Sequence, residues 1–596
     1  MKSDFLYSCS VLSRTFRDYK WKIILLCVLG LLSSMLAGVG VGAIIPLLSF
    51  FMADDATQSA EGTISQAVIK YFEYLPFHLT PVLMMIIIVA MFFLRAVVLF
   101  LLNAIGVQIR TEYTGRTKAK VLSHLLNSSW AFFTKQKLGH ISATLMQEIG
   151  TTGKLLDDIV NILLSVTNVI VFSLLAFAVS PMITSFALLF GGMVFILFHK
   201  LWAKGKEIGR GMMFLGKETT QFIVEHISGA KTVKSFAVED FVRERGIGYF
   251  KETEALSFKN GLLTALYSVS TEPLSILFIA GVFLSSFFSS NFNLGVFAAT
   301  LILVQRIFVY LGSAQLSIHV VNEKIANAIH LLEFEKLIAD YREESGGKMP
   351  FSFRDKFSFE EVAFSYSSES PLFSGLTFDI NKGEMIGIIG PSGSGKTTAA
   401  DLFMRLLEPT AGRLTLDGKA AQEFDLKSWR ENIGYVAQDP FLLNDTVGVN
   451  IKFYKKDLDD EAVASAAKKA HVYDFIQALP EKFNTVAGDR GVMLSGGQRQ
   501  RITLARVLAR TPQILILDEA TSALDNESES LIRRVIKELK GKVTIIVIAH
   551  RLSTVADLDR ILVLDGGRIT EEGKPEALLK NPNSYFYRMH YLSSQQ

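Results

Sequence analysis

Six long runs of apolar residues, nearly free of charge, occupy the chain before about residue 320. They lie at 21–51, 82–109, 155–180, 182–201, 262–288 and 294–321. A bilayer core about 30 Å thick needs roughly 20 mostly apolar residues in a helix, so each run is long enough to cross. Each is expected to be helical, because hydrocarbon offers the backbone no outside hydrogen-bond partner. Long polar stretches, 110–154 and 202–261, separate the second run from the third and the fourth from the fifth. From about Lys356 the pattern changes to short β-branched runs separated by turns and polar helices, which predicts an α/β fold. The expected organisation is an α-helical six-span transmembrane domain at 1–321, a linker at 322–355 that begins as a charged helix over about 322–344, and an α/β domain at 356–596.

Composition agrees with this division. A chain of 596 residues is too long for one hydrophobic core. A mean hydropathy of +0.32 with only 20% charged residues suits a partly membrane-embedded protein. The net charge of +3 argues against a nucleic-acid binder that works by bulk electrostatics. Cys9 and Cys27 fit neither a disulfide framework nor a zinc site and are assigned to packing. No cleavable signal peptide is expected, since the first apolar run is too long and follows a basic lead-in with Arg14, Arg17, Lys20 and Lys22.

Orientation follows from the basic residues. The connection 52–80 holds Asp54, Asp55, Glu61 and Glu73 but only one cation, Lys70. The opposite side carries Arg14, Arg17, Lys20, Arg110, Arg116, Lys118, Lys120, Lys200, Lys204, Lys206 and Arg210. The positive-inside rule therefore predicts both termini, both long polar stretches and the α/β domain in the cytoplasm, with the spans in the cytoplasmic (inner) membrane.

The α/β domain carries the chemistry. Met385–Ile389 reads as a buried strand that runs into Gly390-Pro391-Ser392-Gly393-Ser394-Gly395-Lys396-Thr397-Thr398, a match to the phosphate-binding P-loop. Its glycines let backbone N–H groups turn inward around phosphates, beside the positive end of a helix. Lys396 supplies a point charge for the terminal phosphates of ATP, and the Thr397 hydroxyl is placed for Mg²⁺. A second apolar strand, 514–517, ends at Asp518-Glu519, so both carboxylates fall at the ligand edge of a parallel sheet. Asp518 is the candidate Mg²⁺ ligand and Glu519 the candidate general base. Adjacent acids at a strand end can also simply cap the next helix.

Between these two motifs lies Leu494-Ser495-Gly496-Gly497-Gln498. This segment is similar to the signature sequence of ATP-binding cassette (ABC) proteins, and the order of motifs resembles that family. Gln438, in Tyr435-Val436-Ala437-Gln438-Asp439, resembles the family's Q-loop. Ser522-Ala523-Leu524-Asp525 resembles its D-loop, and His550, after the strand 543–548, its switch histidine. Tyr366 lies where the family stacks an aromatic ring on adenine. With six spans on the same polypeptide, the chain resembles an ABC exporter half-transporter of the lipid flippase or multidrug type.

That resemblance implies ATP held between the P-loop of one ATPase domain and the signature residues Ser495, Gly497 and Gln498 of another, with Asp525 nearby. It implies Gln438 beside Thr397 and Asp518 at the Mg²⁺ position, and His550 orienting water or steadying phosphate charge. Because no motif is degraded, it favours pairing with a second copy over a related half-transporter. It also places short coupling helices near 131–141 and 221–236. No leader-cleaving domain is expected before Trp21, which argues against a peptide exporter that processes its cargo.

For the cargo, ionisable residues within the spans are the default candidates, since a charge at the bilayer centre costs several kcal/mol. Arg95, Glu272 and Arg306 lie at a depth of about 18–24 Å, counting roughly 1.5 Å per residue from the outer ends. Two arginines per chain suit a phosphorylated amphiphile such as a lipid or lipid-linked sugar. Alternatively, Glu272 pairs with one of the arginines and the charges only fix packing. The phenylalanine-rich spans equally suit hydrophobic drugs. From another class, an ATP-gated channel is a rival, as is a switch that binds ATP without turnover.

Overall fold

The apolar runs become helices far longer than a bilayer is thick. The computed structural model describes residues 2–43, 81–287, 294–366, 371–520, 525–549 and 555–594. They form two compact units: Met1–Ser128 with Phe132–Arg342, and Glu343–Gln596 with Ser129–Ala131.

In the first unit, helix α1 (Lys2–Thr15) leads into α2 (Lys20–Gly42), followed by α3 (Pro81–Leu126), α4 (Ile149–Val179), α5 (Pro181–Ser228), α6 (Glu239–Phe287) and α7 (Leu294–Asp340). Among the described residues, six helices are apolar and long enough to span a membrane. Helices α3, α5, α6 and α7 have 46, 48, 49 and 47 residues. At about 1.5 Å per residue each reaches roughly 70 Å, so the polar stretches between spans largely continue the same helices. The charged stretch from 322, expected as a helix, continues α7 without a break to Asp340 and belongs to the first unit. Hydropathy falls near residue 321, but nothing in the sequence there breaks a helix. Short helices occupy Trp130–Lys135, Leu138–Ala143 and Ala230–Ser235, within or beside the two stretches expected to hold connecting helices.

The bundle packs through small residues as well as apolar ones. Leu26 of α2, Leu102 and Ile109 of α3, Leu155 and Leu156 of α4 and Ile325 of α7 form one buried cluster. Helices α5 and α7 approach so closely at Gly209 that a Cβ there would sit 1.9 Å from the Glu323 carbonyl oxygen. Gly209 and Glu323 lie just beyond the apolar runs, and the missing side chain lets the two backbones come this near.

A charged trio ties α5 and α7 to the π-helical turn Thr144–Glu148 ahead of α4. Lys217 Nζ lies 3.1 Å from Glu148 Oε1 as an ion pair. The same Nζ donates to His330 Nε2 at 2.7 Å, and His330 Nδ1 donates to Glu148 Oε2 at 2.8 Å, which assigns the ring proton to Nδ1. Glu148 and Lys217 are both buried.

The second unit holds two sheets. β1 (Lys356–Phe364), β2 (Phe373–Asn381), β4 (Ala411–Leu416) and β5 (Lys419–Ala420) form an antiparallel sheet in the order β2-β1-β4-β5. The second sheet has the order β10-β9-β3-β8-β7-β6, built from β3 (Met385–Ile389), β6 (Ile433–Val436), β7 (Ile514–Asp518), β8 (Thr544–Ile548), β9 (Arg560–Asp565) and β10 (Arg568–Gly573). Its five strands from β9 to β6 are parallel, and β10 adds an antiparallel edge. Every residue of β3, β7 and β8 is buried, as expected for a parallel sheet covered on both faces. One face carries Ile386, Ile388, Ile516 and Ile546; the other carries Met385, Val436, Leu517 and Val547.

Candidate functional site

Strand order decides where the chemistry gathers. The C-terminal ends of β3, β8, β7 and β6 lie side by side, and ligands of open α/β sheets bind at that edge. β3 ends at the P-loop, β7 at Asp518 and Glu519, and β6 two residues before Gln438. β8 ends two residues before His550, which lies outside the described residues, as do Ser522, Ala523 and Leu524.

The P-loop turns from β3 into helix α8 (Lys396–Phe403). Gly395 caps that helix at φ +99°, and a Cβ there would lie 2.5 Å from the Phe373 ring, so both conformation and space require glycine. Gly390 is as tightly placed, with a Cβ position 2.1 Å from the Leu564 carbonyl oxygen. Around Gly393 a Cβ would meet nothing, which leaves the loop's outer side open. Lys396 folds back so that Nζ donates to the carbonyls of Gly390 at 3.0 Å and Pro391 at 2.8 Å. Burial lowers its pKa from the usual lysine value, and the charges of Glu519 and Asp518 oppose that shift. The Ser394 hydroxyl is buried without a hydrogen-bond partner. The Tyr366 hydroxyl shares a 3.1 Å hydrogen bond with the Thr398 hydroxyl, and the Tyr366 ring is largely exposed. For Ser392 the structure adds only its place in the loop.

Asp518 is buried at the tip of β7. Its Oδ2 accepts from the Tyr435 hydroxyl at 3.1 Å, whereas Oδ1 is buried and has no partner. Burial raises its carboxyl above the usual aspartate value. The Tyr435 and Thr397 hydroxyls and Lys396 pull the other way. Burial likewise pushes the Tyr435 phenol well up, with the Asp518 charge adding to the shift. Glu519 follows with φ +47°, a left-handed conformation uncommon for this residue type, and its N–H donates to the Ile548 carbonyl at 2.8 Å. Its Oε2 accepts from Gln438 Nε2 at 2.7 Å. Each of the two adjacent acids is held by a different side chain near the end of β6, Asp518 by Tyr435 and Glu519 by Gln438.

Ser495 begins helix α9 (Gly496–Leu508) with a reciprocal capping box. Gln498 N–H donates to Ser495 Oγ at 3.3 Å, and Ser495 N–H donates to Gln498 Oε1 at 2.8 Å. Asp525 caps helix α10 (Asn526–Leu539), accepting from Ser528 N–H at 3.0 Å. Hydrogen bonding to Ser528 lowers its pKa.

Among the described residues, the three candidate ionisable residues of the membrane unit make no hydrogen bond or ion pair with one another. Arg95 Nη2 donates to the Tyr310 hydroxyl at 3.1 Å, and Tyr310 stacks on Phe172 at 5.7 Å. Arg95 Nε is buried without a partner. Glu272 and Arg306 are exposed, and among the described residues Glu272 makes no ion pair with either arginine.

Two models of known families cover most of the chain. Residues 23–338 match the ABC transporter transmembrane region, and residues 373–522 match the ABC transporter domain. An ABC transporter ATP-binding protein of Sinorhizobium fredii is 36% identical over 62% of this chain and 64% of its own length. An ATP-dependent lipid A-core flippase of Desulfotalea psychrophila is 30% identical over 84% of this chain and 88% of its own. An ATP-binding/permease protein of Staphylococcus aureus named for multidrug export is 28% identical over 96% of this chain and 97% of its own. The solved structure of a bacterial Atm1-family ABC exporter with ATP bound superposes with a TM-score of 0.77 at 24% identity, over 97% of this chain and 98% of that one, and so shares the fold. The chain belongs to the ABC transporter family, a multi-pass membrane protein that carries the family's membrane region and its nucleotide-binding ATPase domain on one polypeptide.

Proposed function

We propose that this chain exports or flips a phosphorylated amphiphile, such as a lipid or lipid-linked sugar, driven by ATP in a dimer that alternates between inward- and outward-open states. The observation that carries the reading is the pair of carboxylates at the end of β7, Asp518 and Glu519, beside the P-loop, on the same chain as six described helices long and apolar enough to cross a membrane. In this reading Lys396 and the P-loop N–H groups hold the phosphates, Ser392, Gly393 and Ser394 line the cradle, and Tyr366 faces the base. Glu519 takes the proton of the attacking water, with Gln438 and His550 orienting that water.

Mg²⁺ fits the residues present. The unpartnered, buried Asp518 Oδ1 supports this, with the Thr397 hydroxyl beside the carboxylate. Among the described residues no group of three His, Cys, Asp or Glu side chains forms a protein-only metal cage, which suits a metal held largely by nucleotide phosphates. When bound, Mg²⁺ supplies positive charge to the phosphate oxygens; Thr397, Asp518 and Gln438 would hold it.

The signature segment is the reason for a partner. Ser495, Gly497 and Gln498 open a helix whose N-terminus suits a γ-phosphate, but in family logic that phosphate belongs to the other protomer's P-loop. A second copy of the chain is the proposed partner, with Asp525 near the same junction. The distribution of basic residues supports a cytoplasmic ATPase and an inner-membrane location.

Arg95 is the stronger cargo candidate, since its Nε lacks a partner while Tyr310 fixes its other end. Relatives named as lipid A-core flippases favour a lipid. A relative named for multidrug export, together with exposed phenylalanines such as Phe93 and Phe100, favours hydrophobic drugs as the second reading. ATP turnover by the purified chain in lipid nanodiscs separates them. Stimulation by a phosphorylated amphiphile that disappears in Arg95→Ala/Arg306→Ala, with basal turnover kept, is the expected result. Stimulation only by a neutral hydrophobic drug contradicts the phosphorylated cargo.

A further inference from the structure

The sequence pattern marks Gln438 in the segment after β6, but the structure gives a role to a residue three positions earlier. β6 pairs with β7 in parallel so that Tyr435 faces Ile516. Side chains on a strand alternate faces, so Asp518, two residues beyond Ile516, projects to the same face as Tyr435. That face is the one covered by α8, where Ala399, Ala400 and Phe403 pack with Ile516 and the partly buried Tyr435. The helix that begins the P-loop's C-terminal side, the Asp518 carboxylate and the Tyr435 phenol therefore share one side of the sheet.

The contact is directional. Tyr435 donates to Oδ2 at 3.1 Å and leaves Oδ1 buried with no partner. A buried carboxylate oxygen without a hydrogen bond is costly unless something else completes it.

We propose that Tyr435 is a positioning residue for the reaction: its phenol fixes the Asp518 carboxylate through Oδ2 so that Oδ1 stays available to Mg²⁺. Outer partners of metal ligands act in this way, and their loss commonly costs about 10–100-fold in metal affinity or activity. Strand β6 and the residues just past it then hold both acids of the site, Asp518 through Tyr435 and Glu519 through Gln438. Tyr435 does not touch substrate and acts only through Asp518. The inference rests on the reading of Asp518 as the Mg²⁺ ligand.

The test uses the full chain in nanodiscs and compares Tyr435→Phe, which keeps the ring and removes only the hydroxyl, with Asp518→Asn. A fluorescent ATP analogue is titrated twice, with Mg²⁺ and with EDTA, and Mn²⁺ bound together with ADP is followed by its electron paramagnetic resonance signal. For Tyr435→Phe the expected result is unchanged affinity in EDTA, which reports an intact P-loop. With metal, affinity should weaken by about 10-fold, with an altered Mn²⁺ signal. Asp518→Asn should show the same pattern more strongly. If Asp518→Asn loses the metal effect but Tyr435→Phe retains it with an unchanged Mn²⁺ signal, the positioning role is overturned and the reading of Asp518 stands. If Asp518→Asn itself keeps full metal dependence, the assignment of Asp518 fails and the proposal fails with it.

Discussion

The two units bury charge in opposite ways. In the ATPase unit, Lys396 and Asp518 are buried at one edge of a parallel sheet, within the reach of a few residues at adjacent strand ends. In the membrane unit, Glu148, Lys217 and His330 meet across three separate helical segments. The first arrangement leaves valences open: Asp518 Oδ1 and Ser394 Oγ have no partner. In the second, opposite charges face one another: Glu148 Oε1 accepts no hydrogen bond but lies 3.1 Å from Lys217 Nζ as an ion pair, and Oε2 accepts from His330. Unpartnered atoms at the ligand edge of a parallel sheet belong to a site that receives something, whereas an ion-paired trio between helices belongs to packing that holds. The contrast separates a site built for phosphate chemistry from a joint that keeps helices in register.

The sharpest way to break that contrast is to remove the proposed base. Glu519→Gln should lower ATP turnover by at least about 100-fold while nucleotide binding persists, measured by phosphate release and by binding of a fluorescent ATP analogue. Turnover near wild type would take the chemistry away from this sheet edge.

Next in size is the trio. Glu148→Ala leaves the Lys217 ammonium buried without its carboxylate, so unfolding stability of the membrane unit should fall by about 3–5 kcal/mol. Adding Lys217→Met should restore much of it, as read by denaturant unfolding of the detergent-solubilised chain. A single variant as stable as the parent would show the trio to be no joint.

Gly209→Ala tests close packing without touching charge. A Cβ 1.9 Å from the Glu323 carbonyl oxygen forces α5 away from α7, at an expected cost of about 1–3 kcal/mol, with affinity for ATP unchanged. Equal stability would mean that the two helices separate there without loss.

The smallest effect concerns Asp401 in α8. Burial, assisted by the Asp518 charge, pushes its carboxyl up to about 6. An unfolded aspartate titrates near 3.9, so between these values the folded chain keeps a proton that the unfolded chain releases. The stability this proton confers is full below about pH 4 and is lost as pH rises through about 6. Asp401→Asn should therefore raise the unfolding temperature at pH 7.5, by about 2 °C, and leave it unchanged near pH 4. The same shift at both pH values would mean that its charge is not the cause.

The same contrast explains what was legible in the sequence. The P-loop, Asp518-Glu519 and Ser495–Gln498 are contiguous, so strand, turn and helix carry each residue to its place without reference to distant chain. Tyr435 meets Asp518 only because β6 lies beside β7, an adjacency across 83 residues that local pattern does not contain. Arg95 meets Tyr310 across 215 residues for the same reason. Counting residues from the ends of the spans estimated the depth of Arg95, Glu272 and Arg306 but not their faces. Among the described residues Glu272 forms no ion pair with Arg95 or Arg306, and both Glu272 and Arg306 are exposed. The helix α7 outran the boundary drawn at residue 321 because hydropathy marks where lipid ends, not where a helix stops. Its polar continuation holds Lys324 against Asp158 at 2.7 Å.

Coupling of hydrolysis to movement is the central claim. The direct measurement is ATP-dependent transfer of a fluorescent phosphorylated lipid across proteoliposomes containing the purified chain, with turnover recorded in the same vesicles. Transfer should require ATP, scale with hydrolysis and vanish in Glu519→Gln. Transfer or current that persists in Glu519→Gln would contradict it and favour an ATP-gated channel on the same scaffold.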